Sequence, residues 1–170
     1  RNLTLPNGTV ADIAIESGLI HSVTPSSEPA SGFHVLPGFI DAHCHILPTG
    51  LDLLKCSLLG CESRAELLER LIAWDRDNPG TTWLHAVQYD QNRFPDGQHL
   101  TLYDLDPYFP HRPVLLRHSN GHASVANTAA LVAAGVSPNE TDPDGGSFGR
   151  DASGNLDGTL FELAHERGTS

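Results

Sequence analysis

HVLPGFIDAHCHI, residues 34–46, decides the fold. Val35 and Leu36 lead through Pro37-Gly38 to Phe39 and Ile40, and the apolar run ends in Asp41, His43 and His45. A short apolar run with polar groups at its C-terminal end suits a strand buried in a parallel sheet. Residues i and i+2 of a strand point to the same side. His43 and His45 are therefore expected on one face, at the strand's C-terminal end. Imidazole is a common ligand of divalent metals. A catalytic metal site needs about three protein ligands and an open position, so this pair alone does not make one. Cys44 is expected to point the other way, as a small buried apolar group.

Towards the N-terminus, TVADIAIESGLIHSVTP (9–25) places Val10, Ile13 and Ile15, then Ser17-Gly18, then Leu19, Ile20 and Val23. Two-residue alternation around a Gly turn predicts a hairpin, and PSSEPASG (25–32) reads as a loop. Towards the C-terminus the period changes. Leu67, Leu68, Leu71, Ile72 and Trp74 recur at helical spacing, and Ser63 with Glu66 forms a capping box. A helix is expected over 63–77. Apolar runs at 83–88 and 114–117 predict strands. TAALVAAG (128–135) predicts a helix closed by Gly135, and TLFELAHER (159–167) a short strand passing into a helix. Strands alternating with helices predict an α/β fold with a parallel sheet.

Composition narrows the function. The 170 residues carry 10 Lys+Arg against 21 Asp+Glu, a formal net charge of −11. That balance argues against nucleic acid as a partner. No apolar run is long enough to span a membrane, and no basic segment followed by an apolar one opens the chain, so no signal peptide is expected. Three cysteines, an odd count, argue against a disulfide framework and for a reducing, cytoplasmic setting. Asp151, Ser153, Asn155, Asp157, Thr159 and Glu162 fall at calcium-loop spacing, but Leu156 stands where the loop wants Gly. A Ser153-Gly154-Asn155 turn between two strand ends is the simpler reading. No phosphate-binding Gly-Lys-Ser/Thr loop is present.

LPGFIDAHCHI (36–46) resembles the first-strand signature of the amidohydrolase superfamily, and the hairpin before it resembles that superfamily's small β-sandwich. Three later features are similar to its YtcJ-like group, amidohydrolase family 3: WLHAVQYDQNRFP (83–95); Gly121, His122, Asn127, Ala130 and Leu131; and Asp142, Pro143, Gly145, Gly146, Gly158, Leu160 and Glu162. The resemblance implies β-sandwich strands over 1–34. Over 35–170 it implies about the first four strands of a (β/α)8 barrel, at 35–43, 83–88, 114–117 and 159–162. A closed barrel takes eight strands in about 250 residues, so these residues are expected to be the N-terminal portion of a longer protein.

The implied site lies at the C-terminal ends of the barrel strands. His43, His45 and Glu162 would hold one or two divalent ions, with zinc the expected metal, and His122 and Asp90 would meet substrate. The proton-shuttling Asp is expected beyond Ser170. The implied reaction is hydrolysis of an amide-type, non-peptide C–N bond of a small molecule by metal-activated water. A half-barrel would need the remainder of its chain or a second copy as partner. The competing reading is a catalytically incomplete fragment or degenerate homologue that serves as a binding module.

Overall fold

A computed structural model describes residues 1–79 and 82–167. It divides into two compact units, Arg1–Cys44 and His45–Ser170.

The first unit is a three-stranded antiparallel sheet of β1 (Leu3–Thr4), β2 (Val10–Glu16) and β3 (Leu19–Pro25). The β2–β3 hairpin turns at Ser17-Gly18 as its sequence predicts, with φ of 51° and 79°. Two successive positive φ values match the right-handed twist of the flanking strands. After the loop, His34 bridges Thr4, and the Val35 N–H donates to the Thr4 carbonyl (2.9 Å).

The expected strand over 35–43 does not form: residues 35–40 have no regular structure. An extended segment becomes a strand only through a ladder, and Pro37 withholds one of the donors. Phe39 and Ile40 are each 95% exposed. Cys44, expected to be buried, is exposed, because no pleat turns it inward.

In the second unit α1 (Ile46–Asp52) precedes β4 (Cys56–Ser57), then α2 (Arg64–Asp77), β5 (Leu84–Tyr89), α3 (Leu102–Leu105), β6 (Val114–His118), β7 (Ala123–Ala126), α4 (Thr128–Ala133), β8 (Gly146–Arg150), β9 (Leu156–Glu162) and α5 (Leu163–Arg167). The strands form one sheet in the order β4-β5-β6-β7-β9-β8. Its first half, β4 to β6, is parallel as expected. Its second half is antiparallel, which corrects the all-parallel expectation. The cause is β7, AlaSerValAla, too short and plain to read as a strand. It reverses the chain after a four-residue turn, so β9 runs in the same direction as β5 and β6.

The helix expected over 63–77 is α2. The Ser63 Oγ accepts from the Glu66 N–H (3.2 Å), while the Glu66 carboxylate accepts from the Glu62 N–H (3.0 Å) rather than from Ser63. Leu67 and Leu71 are fully buried against Leu84, Ala86, Val114 and Leu116 of the sheet. Each such leucine contributes about 1.5–3 kcal/mol by burial. A second core joins Ala126, Ala130, Leu131, Phe148 and Leu160. The Ser153-Gly154-Asn155 turn lies between β8 and β9 as read. Asp151 anchors it by accepting from the N–H groups of Ser153 and Asn155 and from the Tyr103 hydroxyl. The Tyr103 hydroxyl does most to hold the Asp151 carboxyl at about 2.

Candidate active site

Because β5, β6 and β9 run in one direction, their C-terminal ends share one rim of the sheet. Tyr89 and Asp90, His118, and Glu162 stand there, joined by His122 at the entry to β7. In barrel enzymes that end of the strands carries the chemistry.

Glu162 closes β9 with φ of 51°, a left-handed conformation uncommon outside glycine. Two bonds fix it to His122. The Glu162 N–H donates to the His122 carbonyl (2.8 Å), and the His122 Nδ1 lies 3.1 Å from the Glu162 Oε2. Both side chains are exposed. The ring is oriented in turn by a short chain of contacts. The His122 N–H donates to the Asn120 Oδ1 (2.9 Å), the Asn120 N–H to the His118 Nδ1 (3.0 Å), and the Gly121 N–H to the His118 carbonyl (3.0 Å). With Nδ1 accepting, the His118 proton resides on Nε2, which donates to the Gln91 Oε1 (2.6 Å). His118 is 7% exposed and meets Tyr89 edge to face.

Asp90 ends β5. Its carboxylate accepts from the Asn92 backbone and side chain and lies 3.8 Å from the His118 Nε2. The buried Tyr89 hydroxyl accepts from the Leu100 N–H (2.9 Å) and donates to the His99 Nδ1 (3.2 Å). Nothing in the local sequence marks Tyr89, His99, His118 or Asn120 as a group; residues up to 31 positions apart meet only through the fold.

The remaining expected ligands lie before this rim in the chain. His45 caps the N-terminus of α1 without a side-chain hydrogen bond to the helix. His43 belongs to the first unit, where its N–H donates to the Asp41 Oδ1 (3.0 Å). The two are not on a strand, so the same-face argument from spacing does not apply to them. Among the described residues, no three His, Cys, Asp or Glu side chains are grouped to hold a metal ion. His122 and Glu162 do supply a nitrogen and an oxygen of the kinds that divalent metals take, and their donor chemistry fits such an ion.

Three histidines, His165 buried and His85 and His99 half-buried, give the fold a pH dependence. Burial is the main cause that lowers His85, His99 and His165 below their ordinary 6.5, helped by Lys55, His118 and Arg117 respectively. In the unfolded chain these rings take up protons near 6.5 that the folded chain holds off. The stabilisation is therefore complete above that value and is lost as pH falls through 6.5 towards the folded values. Urea midpoints are expected to fall between pH 7.5 and pH 5.5, above the carboxylate range. A flat or rising midpoint would contradict this origin.

An α/β sheet with His and carboxylate side chains gathered at the C-terminal rim of its co-directional strands defines the class, and comparison with known proteins gives the family. Residues 30–169 match the model of the amidohydrolase family, and the chain belongs to that family. It is 39% identical over 145 residues to "Putative amidohydrolase YtcJ" of Bacillus subtilis (strain 168), covering 84% of this chain and 27% of that protein. It is 32% identical over 161 residues to N-substituted formamide deformylase of Arthrobacter pascens, covering 92% of this chain and 30% of that one. The chain thus spans about 30% of the length of these curated relatives. A crystal structure of an uncharacterized metal-dependent hydrolase from Pyrococcus horikoshii OT3 superposes with a TM-score of 0.54 at 20% identity, over 99% of this chain and 34% of that one. At that identity the likeness concerns the fold. No helix among the described residues is long and apolar enough to cross a membrane.

Proposed function

We propose that this chain is the N-terminal portion of a cytoplasmic metal-dependent hydrolase that cleaves an amide-type, non-peptide C–N bond of a small molecule. Its first unit supplies β-sandwich strands, and its second the opening part of a (β/α)8 barrel completed by the remainder of the chain. The observation that carries this reading is the doubly bonded His122–Glu162 pair at the rim where β5, β6 and β9 end, in a chain of the amidohydrolase family. The formamide in the name of the Arthrobacter relative supports a small amide as substrate class.

His43, His45 and Glu162 would hold one or two ions, with zinc the metal proposed. A bound ion supplies an activated water and polarises the scissile carbonyl. The chain's own residues do the positioning. His122 holds the Glu162 carboxylate in place and presents its other face to substrate. Asp90, fixed at the end of β5, borders the same rim, and the Tyr89–His118 contact keeps that rim rigid.

Metal analysis of the chain purified without chelator tests the reading. One or more equivalents of zinc are expected, lost in the His43→Ala/His45→Ala double variant and reduced at least about tenfold in affinity in Glu162→Gln. No bound metal, or binding indifferent to these substitutions, would instead support a non-catalytic binding module.

A further inference from the structure

We propose that the loop between β5 and α3, residues 90–101, is fastened to the sheet by a proton-operated latch, the Tyr89–His99 hydrogen bond, which opens when His99 takes up a proton. The Tyr89 side chain is wholly buried. Its hydroxyl accepts from the Leu100 N–H (2.9 Å) and donates to the His99 Nδ1 (3.2 Å), and among the described residues it has no third hydrogen-bond partner. One phenol thus holds two consecutive residues of the loop. It can do so only while the His99 Nδ1 is an acceptor.

Protonation removes that acceptor. The His99 Nδ1 then carries a hydrogen of its own. The Tyr89 oxygen faces two N–H donors, and its own hydrogen has nowhere to point. His118, whose ring centroid is 5.6 Å from that of Tyr89 and 5.9 Å from that of His99, cannot take it. The His118 Nδ1 accepts from the Asn120 N–H, and its Nε2 donates to Gln91. Phe161, edge-on to His99, offers no lone pair. The carboxylates that act on Tyr89, Asp90 and Asp104, are bound to Asn92 and Thr101. A buried donor without a partner is costly, and release of the loop end to water relieves it.

Charge works in the same direction. Arg64 of α2 and His118 of β6 oppose a positive charge on His99, and Asp157 of β9 favours one. Burial is the largest influence and holds the ring below its ordinary 6.5. The latch is therefore closed at neutral pH and opens in mild acid. Arg64 keeps the opening local. Its Nη2 donates to the carbonyls of Gln98 (3.1 Å) and His99 (3.0 Å), and its guanidinium pairs with Asp96 and Asp104. Mild acid leaves those bonds intact, since neither partner titrates there. The His99 ring and the Leu100 N–H leave Tyr89 while the rest of the loop stays tied to α2. Asp90 and Gln91 begin the same loop, and Gln91 is bound to His118, so release loosens the β5 corner of the rim. The latch stands whether or not that rim holds a metal.

Amide hydrogen exchange followed by NMR between pH 7.5 and pH 5.0 tests the latch. The protection factor of the Leu100 N–H is expected to fall about threefold or more over that range. The fall is measured relative to the Leu84 N–H, which donates to the Pro113 carbonyl in the core (2.8 Å) and reports opening of the whole fold. In His99→Gln, whose amide does not titrate, the ratio should stay flat. A flat ratio in the parent, or the same fall in His99→Gln, would overturn the proposal. Should His99→Gln not fold, the parent alone decides. The fall in Leu100 protection must then level off at the pH where the His99 ring signals titrate in the folded chain, and levelling at any other pH rejects the latch.

Discussion

Asn127→Ala should lower the folding free energy by about 4 kcal/mol, the largest loss expected from a single side chain in this protein. Asn127 is fully buried and spends its whole hydrogen-bonding capacity on backbone. Its Nδ2 donates to the carbonyls of Phe109 (2.8 Å) and Arg112 (2.9 Å). Its Oδ1 accepts from the N–H groups of Val114 and Ala130, both at 2.9 Å. One amide thus closes the loop before β6, starts β6 and caps α4. Alanine leaves four buried backbone groups without partners, each costing about 1–3 kcal/mol, though the losses overlap. Asn127→Asp should do no better, since a carboxylate oxygen would then face two carbonyls. Urea denaturation of both variants measures this. A midpoint within error of the parent would show that water or backbone shifts replace the amide.

Gly158→Ala is the second. Gly158 lies in β9 with φ of +90°, and a Cβ there would stand 2.3 Å from the Ala126 carbonyl oxygen and 3.0 Å from the Leu102 backbone nitrogen. Neither neighbour is a flexible side-chain tip. The ladder between β7 and β9 and the start of α3 would have to separate. Strained backbone costs about 1–3 kcal/mol and overpacking about as much again, so a loss of about 3 kcal/mol is expected. Thermal unfolding of the variant beside Gly154→Ala gives the comparison, because Gly154 has a similar φ but open space around it. Equal losses at both positions would mean that backbone conformation alone, and not the close approach of β7, constrains Gly158.

What the sequence disclosed and what it withheld divide along the range of the interactions. The hairpin at Ser17-Gly18 and the helix α2 were legible because a turn and a cap are written within a few residues. So were β5 and β6, whose apolar runs suffice to mark them. The extended reading of 35–43 failed because a ladder is a property of neighbours, and composition alone does not supply them. β7 was missed for the converse reason: Ala123, Ser124 and Ala126 carry little strand preference, and β6 and β9 impose the conformation from either side. Within the candidate site, Glu162 and His122 stood out through the family resemblance, and the fold brings them into contact. Tyr89, His99 and His118 were silent, since a buried histidine looks like any other until its partners are known. Asn127 was visible as part of a motif, but its reason, four backbone groups satisfied at once, is spatial.

The reversal of direction at β7 has a practical consequence for handling the molecule. Gly146 pairs with Glu162, whereas Arg150 pairs with Leu156, so the connection from β8 to β9 emerges at the margin of the sheet opposite the histidines. Ser153 and Gly154 are exposed there. A fluorophore or an affinity handle spliced between them would sit a full strand length from the candidate site, giving a reporter that leaves the opposite margin untouched.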